Sequence, residues 1–203
     1  QHDFIIASDE CYSEIFFDDV NPPVGLLQAA VAAGYDDLSR CVVFHSLSKR
    51  SNAPGLRSGF VAGDGNVLKD FLRYRTYHGC AMPPATQSAS IVAWQDESHV
   101  LKNRSLYREK FAAVLSILSP VMNVQLPDAG FYLWAETPIS DTEFAQKLFA
   151  EHNVTVLPGS YLGRDTDNGN PGSNRIRMAL VATLDECVDA AYRIRTLIET
   201  LEN

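Results

Sequence analysis

The residue with the clearest capacity for covalent chemistry is Lys49, which follows the run Ser46-Leu47-Ser48. A lysine amine can condense with an aldehyde and can later act as a base. Arg57 stands eight positions further on and offers a planar guanidinium that can bind an anion. A single lysine in a loop is ordinarily a solvated surface residue. The end of a strand in an α/β sheet, however, is a usual place for ligand chemistry.

A second pair of candidate residues, Asp9 and Tyr12, follows the apolar run 4–7, forty positions before Lys49. An abrupt change from apolar to polar residues predicts that a strand ends there. Taken alone, an acidic residue in this position is usually a helix N-cap or a loop acid.

The elements around these residues are predicted from their apolar patterns. Runs 4–7, 41–44 and 59–63 predict strands, and a helix over 26–33, closed by Gly34, predicts a crossover between parallel strands. Lys49 therefore lies in a Ser-rich turn between two predicted strands. The rest of the chain predicts helices over 66–77, 85–94, 97–118, 141–152 and 185–201, strands over 124–126, 131–134, 154–157 and 175–181, and a polar, mobile loop over 163–174.

The lysine motif resembles the signature of the class I/II aminotransferases, which are fold-type I enzymes that use pyridoxal 5′-phosphate (PLP). The match consists of Ser46-Leu47-Ser48-Lys49 and of Arg57 eight positions later, and the Asp9-x-x-Tyr12 pair matches a second motif of the family in order and separation. Only Ser58 departs from the pattern, because an aliphatic residue is usual there.

The resemblance implies a role for each matched residue. Lys49 would bind PLP covalently and then move a proton between the substrate's Cα and the cofactor, for which partial burial and nearby cations would favour its neutral amine. Asp9 would pair with the pyridine nitrogen, and Tyr12 would reach the phenolic oxygen. Ser46 and Arg57 would bind the phosphate.

Arg177 is the candidate for substrate binding. An arginine that alternates with apolar residues would normally be exposed on an edge strand, but the family has a carboxylate-binding arginine in a strand after a Gly-rich loop. Arg177 fits that register, and Arg175, on the same face of the strand, is the alternative. Arg50 receives no role from the resemblance and is expected to be solvated or to face the substrate.

The fold class implied is α/β, the C-terminal half of a fold-type I PLP-dependent transferase. Residues 1–100 would form the C-terminal part of the PLP-binding large domain, and residues 101–203 the α+β small domain. Fold-type I enzymes are about twice as long, so we expect this chain to be the C-terminal portion of a longer protein. The family also implies a homodimer.

Within this family, residues 46–64 and 74–94 resemble most specifically the bacterial N-succinyldiaminopimelate aminotransferases of lysine biosynthesis. It implies glutamate as the amino donor and N-succinyl-2-amino-6-oxopimelate as the acceptor. A C–S β-lyase would carry the same residues, because the reaction depends on geometry at the Cα bonds. A further alternative is an inactive fragment that lacks the N-terminal half of the site and does not bind PLP stably.

The composition narrows the remaining function classes. A net charge of −8 without a basic block argues against nucleic acid or anionic membrane as a partner, and small-molecule amino and oxo acids are the partners implied. Four scattered cysteines predict reduced, mostly buried thiols in a cytoplasmic protein. No histidine or cysteine spacing indicates a metal site.

Overall fold

A computed structural model gives the structure of residues 2–201. The described residues divide into two compact units, and the division falls after Arg104. The sequence predicts a domain boundary near residue 100, and the assignment of the units to a large and a small domain stays a prediction. No helix in the described part of the chain combines the length and the apolar character that a membrane crossing requires.

The first unit contains a three-stranded sheet in the order β1-β2-β3. Strands β1 (Ile6–Asp9) and β2 (Cys41–Ser46) are parallel, and the crossover between them contains helix α1 (Leu26–Ala32), as predicted. Strand β3 (Gly59–Gly63) runs antiparallel to β2, with Gly59 opposite Ser46. The carboxyl ends of β1 and β2 therefore lie at the same edge of the sheet as the amino end of β3.

The segment between β2 and β3 is more regular than the predicted Ser-rich turn. Helix α2 (Leu47–Arg50) begins directly after β2, and a 3-10 turn (Pro54–Leu56) follows. Ser46 caps α2, because its Oγ accepts a hydrogen bond from the N–H of Ser48 over 3.0 Å. The Leu47 side chain is fully buried and holds the helix against the unit.

Three long helices follow the sheet. They are α3 (Gly65–His78), α4 (Pro84–Gln95) and α5 (Ser98–Leu118), each close to its predicted range. Asp64 caps α3 by accepting hydrogen bonds from the N–H groups of Asn66 and Val67. Pro84 is the first residue of α4, where a missing N–H has no cost.

The second unit is an antiparallel sheet with two helices. Its strands are β4 (Tyr132–Glu136), β5 (Leu157–Pro158) and β6 (Arg175–Ala179), in the order β4-β6-β5, and its helices are α6 (Asp141–His152) and α7 (Leu184–Leu201). Burial alternates along β4 and β6, so that one face of the sheet forms the core. That core consists of Leu133, Ala135, Ile176, Met178, Phe144, Leu148, Ala191, Ile194, Leu197 and Ile198.

The prediction of a strand over 124–126 is wrong. Val124 is buried, but Leu126 is exposed, and Pro127 follows directly. Just before this segment, the carbonyl oxygen of Asn123 accepts a hydrogen bond from the N–H of Glu136 over 3.1 Å. One backbone bond at the end of β4 does not make a ladder. The strand predicted over 154–157 is likewise reduced to β5.

Candidate functional site

Lys49 lies on α2, three residues beyond the end of β2. Its side chain is half-buried, and its carbonyl oxygen accepts a hydrogen bond from Nδ2 of Asn103 over 3.3 Å. The lysine is therefore held on a short helix at the edge of the sheet rather than in a loose turn.

Asp9 is the last residue of β1 and pairs with Phe44 of β2. Its carboxylate accepts a hydrogen bond from the N–H of Cys11 over 3.1 Å. Hydrogen bonds from the side chain and backbone of Cys11 lower the pKa of Asp9 and outweigh the opposing effect of burial, and nearby His45 lowers it further. Asp9 is consequently an ionised carboxylate at neutral pH, beside the strand that leads to Lys49.

Cys11 lies in the electrostatic field of both Asp9 and Lys49. Partial burial, together with the hydrogen bond to Asp9 and its negative charge, raises the pKa of the Cys11 thiol to about 11, while the positive charge of Lys49 acts in the opposite direction. Asp9, Cys11 and Lys49 are thus neighbours. Tyr12, the next residue in the chain, exposes 46% of its surface at this place.

Ser46 and Ser58 fix the geometry at the start of α2. The Ser46 hydroxyl contacts Ser48 Oγ at 2.8 Å and the carbonyl oxygen of Ser58 at 3.2 Å. The same Ser58 carbonyl accepts the N–H of Leu47 over 3.1 Å. Ser58 is only 4% exposed, and its own hydroxyl has no hydrogen-bond partner in the described structure. This burial explains why an aliphatic residue suits position 58.

Arg57 lies two residues before β3, at the same edge of the sheet as Asp9 and Ser46. Its backbone is left-handed, with φ of 52°, an uncommon conformation for a residue other than glycine. The side chain is exposed, and its Nη1 donates to the carbonyl oxygen of Pro54 over 2.8 Å. The remaining donors of the guanidinium are available to an anion at this edge.

Arg177 belongs to the second unit, on the half-exposed face of β6. Its guanidinium lies 5.4 Å from the ring centre of Tyr132, and among the described residues no carboxylate pairs with it. Arg175 instead donates from Nη2 to Glu136 Oε1 over 2.6 Å. Of the two arginines on this face, Arg177 is the one that can receive an external carboxylate without losing an ion pair.

The expectation that Arg50 is solvated or faces the substrate is wrong. Only 4% of it is exposed, Nη1 donates to Glu14 Oε1 over 2.7 Å, and Nη2 donates to Glu97. These partners are 36 and 47 positions away in the chain, so no local pattern signals them.

The four cysteines differ in burial, and the side chains that could bind a metal are not clustered in the described residues. Cys41 and Cys187 are buried, Cys11 is intermediate and Cys80 is exposed, so the thiols are less uniformly buried than predicted. Within residues 2–201 no group of three or more His, Cys, Asp or Glu side chains could hold a metal ion.

The convergence of Asp9, Ser46, Lys49 and Arg57 at one sheet edge agrees with the comparison to known families. The chain matches the family model "Aminotransferase class I and II" over residues 1–192. The chain belongs to this family. Members of the family depend on PLP, and the fold is that of a fold-type I aminotransferase, of which this chain forms a part.

Individual relatives agree with this assignment. LL-diaminopimelate aminotransferase of Maridesulfovibrio salexigens is 30% identical over 201 residues, which are 97% of this chain and 49% of the relative. An aminotransferase structure from Neisseria meningitidis is 56% identical, with a TM-score of 0.90, covering 96% of this chain and 49% of the other. The "probable N-succinyldiaminopimelate aminotransferase" of Thermus thermophilus is 26% identical, with a TM-score of 0.80. That match covers 95% of this chain and 49% of the other. The chain thus spans about half the length of these relatives.

The side chains at this sheet edge match the functional groups of PLP in chemical type. The cofactor carries an aldehyde, a pyridine nitrogen, a phenolic oxygen and a phosphate. At one sheet edge the first unit offers an amine (Lys49), an ionised carboxylate (Asp9), a phenol (Tyr12) and a guanidinium (Arg57). The cap hydroxyl of Ser46 adds a neutral polar group.

Proposed function

We propose that the protein containing this chain is a PLP-dependent aminotransferase that moves an amino group from an amino acid to an oxo acid. The observation that carries the proposal is the sheet edge where β1 ends at Asp9, β2 leads into Lys49, and Arg57 precedes β3. An anionic carboxylate at the end of β1 and an amine on the helix that directly follows the parallel strand β2 suit a cofactor that carries an aldehyde and a basic ring nitrogen.

Each residue at this edge has one task in the proposal. When bound, PLP supplies an electron sink that makes the substrate's Cα–H acidic. Lys49 would hold the cofactor through its amine. Once the substrate's amine has taken its place, the free Lys49 amine would move a proton between the substrate's Cα and the cofactor. Asp9 keeps the ring nitrogen protonated, and Tyr12 donates to the phenolic oxygen. Arg57 and the Ser46 hydroxyl would hold the phosphate, because a guanidinium and a hydroxyl both donate hydrogen bonds to phosphate oxygens.

Arg177 has the task of orienting the substrate. A guanidinium binds a carboxylate bidentately, which fixes the direction of the bonds at the neighbouring Cα. The half-exposed guanidinium on β6, without an acidic partner in the described chain, supports this assignment, whereas the ion pair of Arg175 with Glu136 speaks against Arg175.

For the substrates we propose glutamate as donor and N-succinyl-2-amino-6-oxopimelate as acceptor, in lysine biosynthesis. The resemblance over residues 46–64 and the name of the Thermus thermophilus relative support this choice. A second candidate is unacylated LL-diaminopimelate, because several relatives about 30% identical carry that substrate in their names. A cytoplasmic homodimer is the assembly we propose with this activity.

The test uses the full gene product that contains this chain. Incubation with PLP and L-glutamate should yield 2-oxoglutarate and pyridoxamine phosphate in equal amounts, and Lys49→Ala should abolish turnover. Lys69→Ala, which removes an exposed amine on α3, is the matched control and should be active. If PLP binds but glutamate does not convert it, release of ammonia from an amino acid with a thioether on Cβ would favour the β-lyase alternative. No binding of PLP would favour an inactive fragment.

The substrate is tested in the reverse direction, with 2-oxoglutarate as the amino acceptor. N-succinyl-LL-diaminopimelate should be used with a higher kcat/KM than LL-diaminopimelate. The opposite order would replace the first candidate by the second, and the transaminase proposal itself would stand.

A further inference from the structure

Three consecutive residues around the proposed cofactor lysine are each held by one side chain of segment 97–103. Glu97 accepts a hydrogen bond from Arg50, His99 Nε2 lies 2.8 Å from Ser51 Oγ, and Asn103 Nδ2 donates to the carbonyl oxygen of Lys49 over 3.3 Å. Glu97 directly precedes α5, and His99 and Asn103 lie within the first six residues of that helix. Residues 49–51 are thus fixed one by one along this segment.

Arg50 is the most deeply buried member of this arrangement. Its guanidinium bonds Glu14 on one side and Glu97 on the other, and it lies 5.3 Å from the ring centre of Trp94. Its Nε is buried without a hydrogen-bond partner among the described residues. A buried arginine between carboxylates adds little stability over a well-packed apolar side chain, so stability alone does not account for it.

Helix α2 needs such external support. It has only four residues, and at its end the N–H of Ser51 donates to the carbonyl oxygen of Leu47 over 3.0 Å. A helix this short is not stable by itself, because nucleation costs more than one hydrogen bond returns. Its geometry is therefore set by the Ser46 cap, the buried Leu47 and the ion pairs of Arg50.

We propose that Arg50 is a positioning residue: with Glu14 and Glu97 it fixes the turn of α2 and so aims the amine of Lys49 at the cofactor aldehyde. The inference rests on the proposed function, in which Lys49 is the residue that binds PLP. Arg50 touches neither cofactor nor substrate. Its effect is on the rate at which Lys49 reacts, because displacement of a reacting group by about 1 Å can cost about 100-fold in rate.

Arg104 provides a matched control in the same unit. It is 8% exposed, donates to the carboxylate of Glu14 over 3.4 Å and to Asp19 over 3.1 Å, and lies 3.7 Å from the ring centre of Phe16. Loss of its guanidinium therefore also removes a buried ion pair of Glu14. Arg104 makes none of the hydrogen bonds to residues 49–51 described above, so a purely structural role predicts equal effects at positions 50 and 104.

The experiment measures how fast PLP attaches to Lys49 in the full gene product. Protein freed of PLP is mixed with PLP, the attachment is reduced with borohydride at timed intervals, and the modified Lys49 peptide is quantified by mass spectrometry. We expect Arg50→Met to attach PLP about 10- to 100-fold more slowly than wild type, Arg50→Lys to recover part of the rate, and Arg104→Met to attach at the wild-type rate despite a comparable loss of Tm.

Equal attachment rates in Arg50→Met and Arg104→Met would overturn the inference. If either methionine variant fails to fold, the pair Arg50→Lys and Arg104→Lys decides in the same way, because both retain the positive charge. Absence of attachment to Lys49 in the wild-type protein would overturn the proposed function, whereas normal attachment there with unaffected Arg50 variants would overturn only the positioning role.

Discussion

The carboxylate of Asp141 accepts the backbone N–H of Ser160 over 2.8 Å, although the two residues are 19 positions apart. Its other oxygen accepts the N–H of Asn174 over 3.3 Å. Asp141 is the first residue of α6, Ser160 lies in the 3-10 turn after β5, and Asn174 directly precedes β6. One buried side chain therefore ties together three connections of the second unit, including the start of the strand that carries Arg177.

Removal of this carboxylate should destabilise the protein. In Asp141→Ala the partly buried hydrogen bonds from the N–H groups of Ser160 and Asn174 are lost, and we expect a loss of about 1.5–3 kcal/mol in the free energy of unfolding. Denaturant unfolding of the full gene product gives the value. Asp128→Ala, at an exposed loop position, is the control and should unfold like wild type. Equal midpoints for the two variants would contradict the assignment.

The contribution of Asp141 should also depend on pH. Burial acts to raise the pKa of Asp141, but hydrogen bonds from Ser160 and Asn174 outweigh it, so the folded pKa lies below the ordinary value. A lowered folded pKa means that the stabilisation is present above the unfolded value of about 4 and is lost as pH falls through the folded value. The difference in Tm between wild type and Asp141→Asn should therefore shrink below about pH 4. A constant difference from pH 7 to pH 3 would refute this.

The two arginines on β6 should respond differently to substitution. Arg177→Met should raise KM for carboxylate substrates about 10- to 100-fold, since a bidentate charged contact is lost. Arg175→Met should remove the ion pair with Glu136 and leave KM nearly unchanged, because the Arg175 guanidinium is already paired with a carboxylate of the chain. Steady-state kinetics with glutamate measure both. A larger effect at Arg175 would transfer the carboxylate-binding role to it.

Asp9→Asn tests the negative charge of Asp9 while keeping its hydrogen bond to the backbone. The amide keeps an oxygen that can accept the N–H of Cys11 but cannot hold a proton on a ring nitrogen. We expect kcat to fall about 100-fold or more with little change in Tm. Asp18→Asn, in an exposed loop where Asp18 bonds Asn21 and Val20, should keep wild-type kcat. A wild-type kcat in Asp9→Asn would remove Asp9 from the site.

The raised pKa of Cys11 predicts slow alkylation. At pH 8 a thiol with a pKa of about 11 is almost entirely protonated, and the thiolate is the reactive form. Iodoacetamide should therefore label the exposed Cys80 first, and labelling of Cys11 should rise steeply only above about pH 10. Peptide mass spectrometry at several pH values follows both sites, with Cys80→Ser to confirm the order. Faster labelling of Cys11 at pH 8 would contradict the raised pKa.

Helix α6 shows what the sequence could predict. Ser140 before it, acidic residues in its first turn and apolar residues at helical spacing predict the range 141–152, which is the observed range. In the first unit, the apolar runs and the motif spacing likewise place Asp9, Lys49 and Arg57 near strand ends. These features are local, so a single sequence contains them.

Features that depend on distant partners could not be predicted. The two acidic partners of Arg50 lie 36 and 47 residues away, and nothing near position 50 distinguishes a buried arginine from a solvated one. The run 124–126 has the composition of a strand, but it would form one only by pairing with a neighbouring strand. In the structure β4 pairs with β6, and the run 124–126 joins neither. Tertiary contacts override local preference in both cases.

The environment of Ser58 has a consequence for how this part of the chain can vary. The backbone carbonyl, not the hydroxyl, holds Ser46 and Leu47 in place, and a carbonyl is present whatever residue stands there. Position 58 therefore requires a side chain that fits a buried space, and the turn does not depend on the Ser58 hydroxyl. An aliphatic residue at this position would keep the turn and would remove a buried hydroxyl that has no hydrogen-bond partner among the described residues.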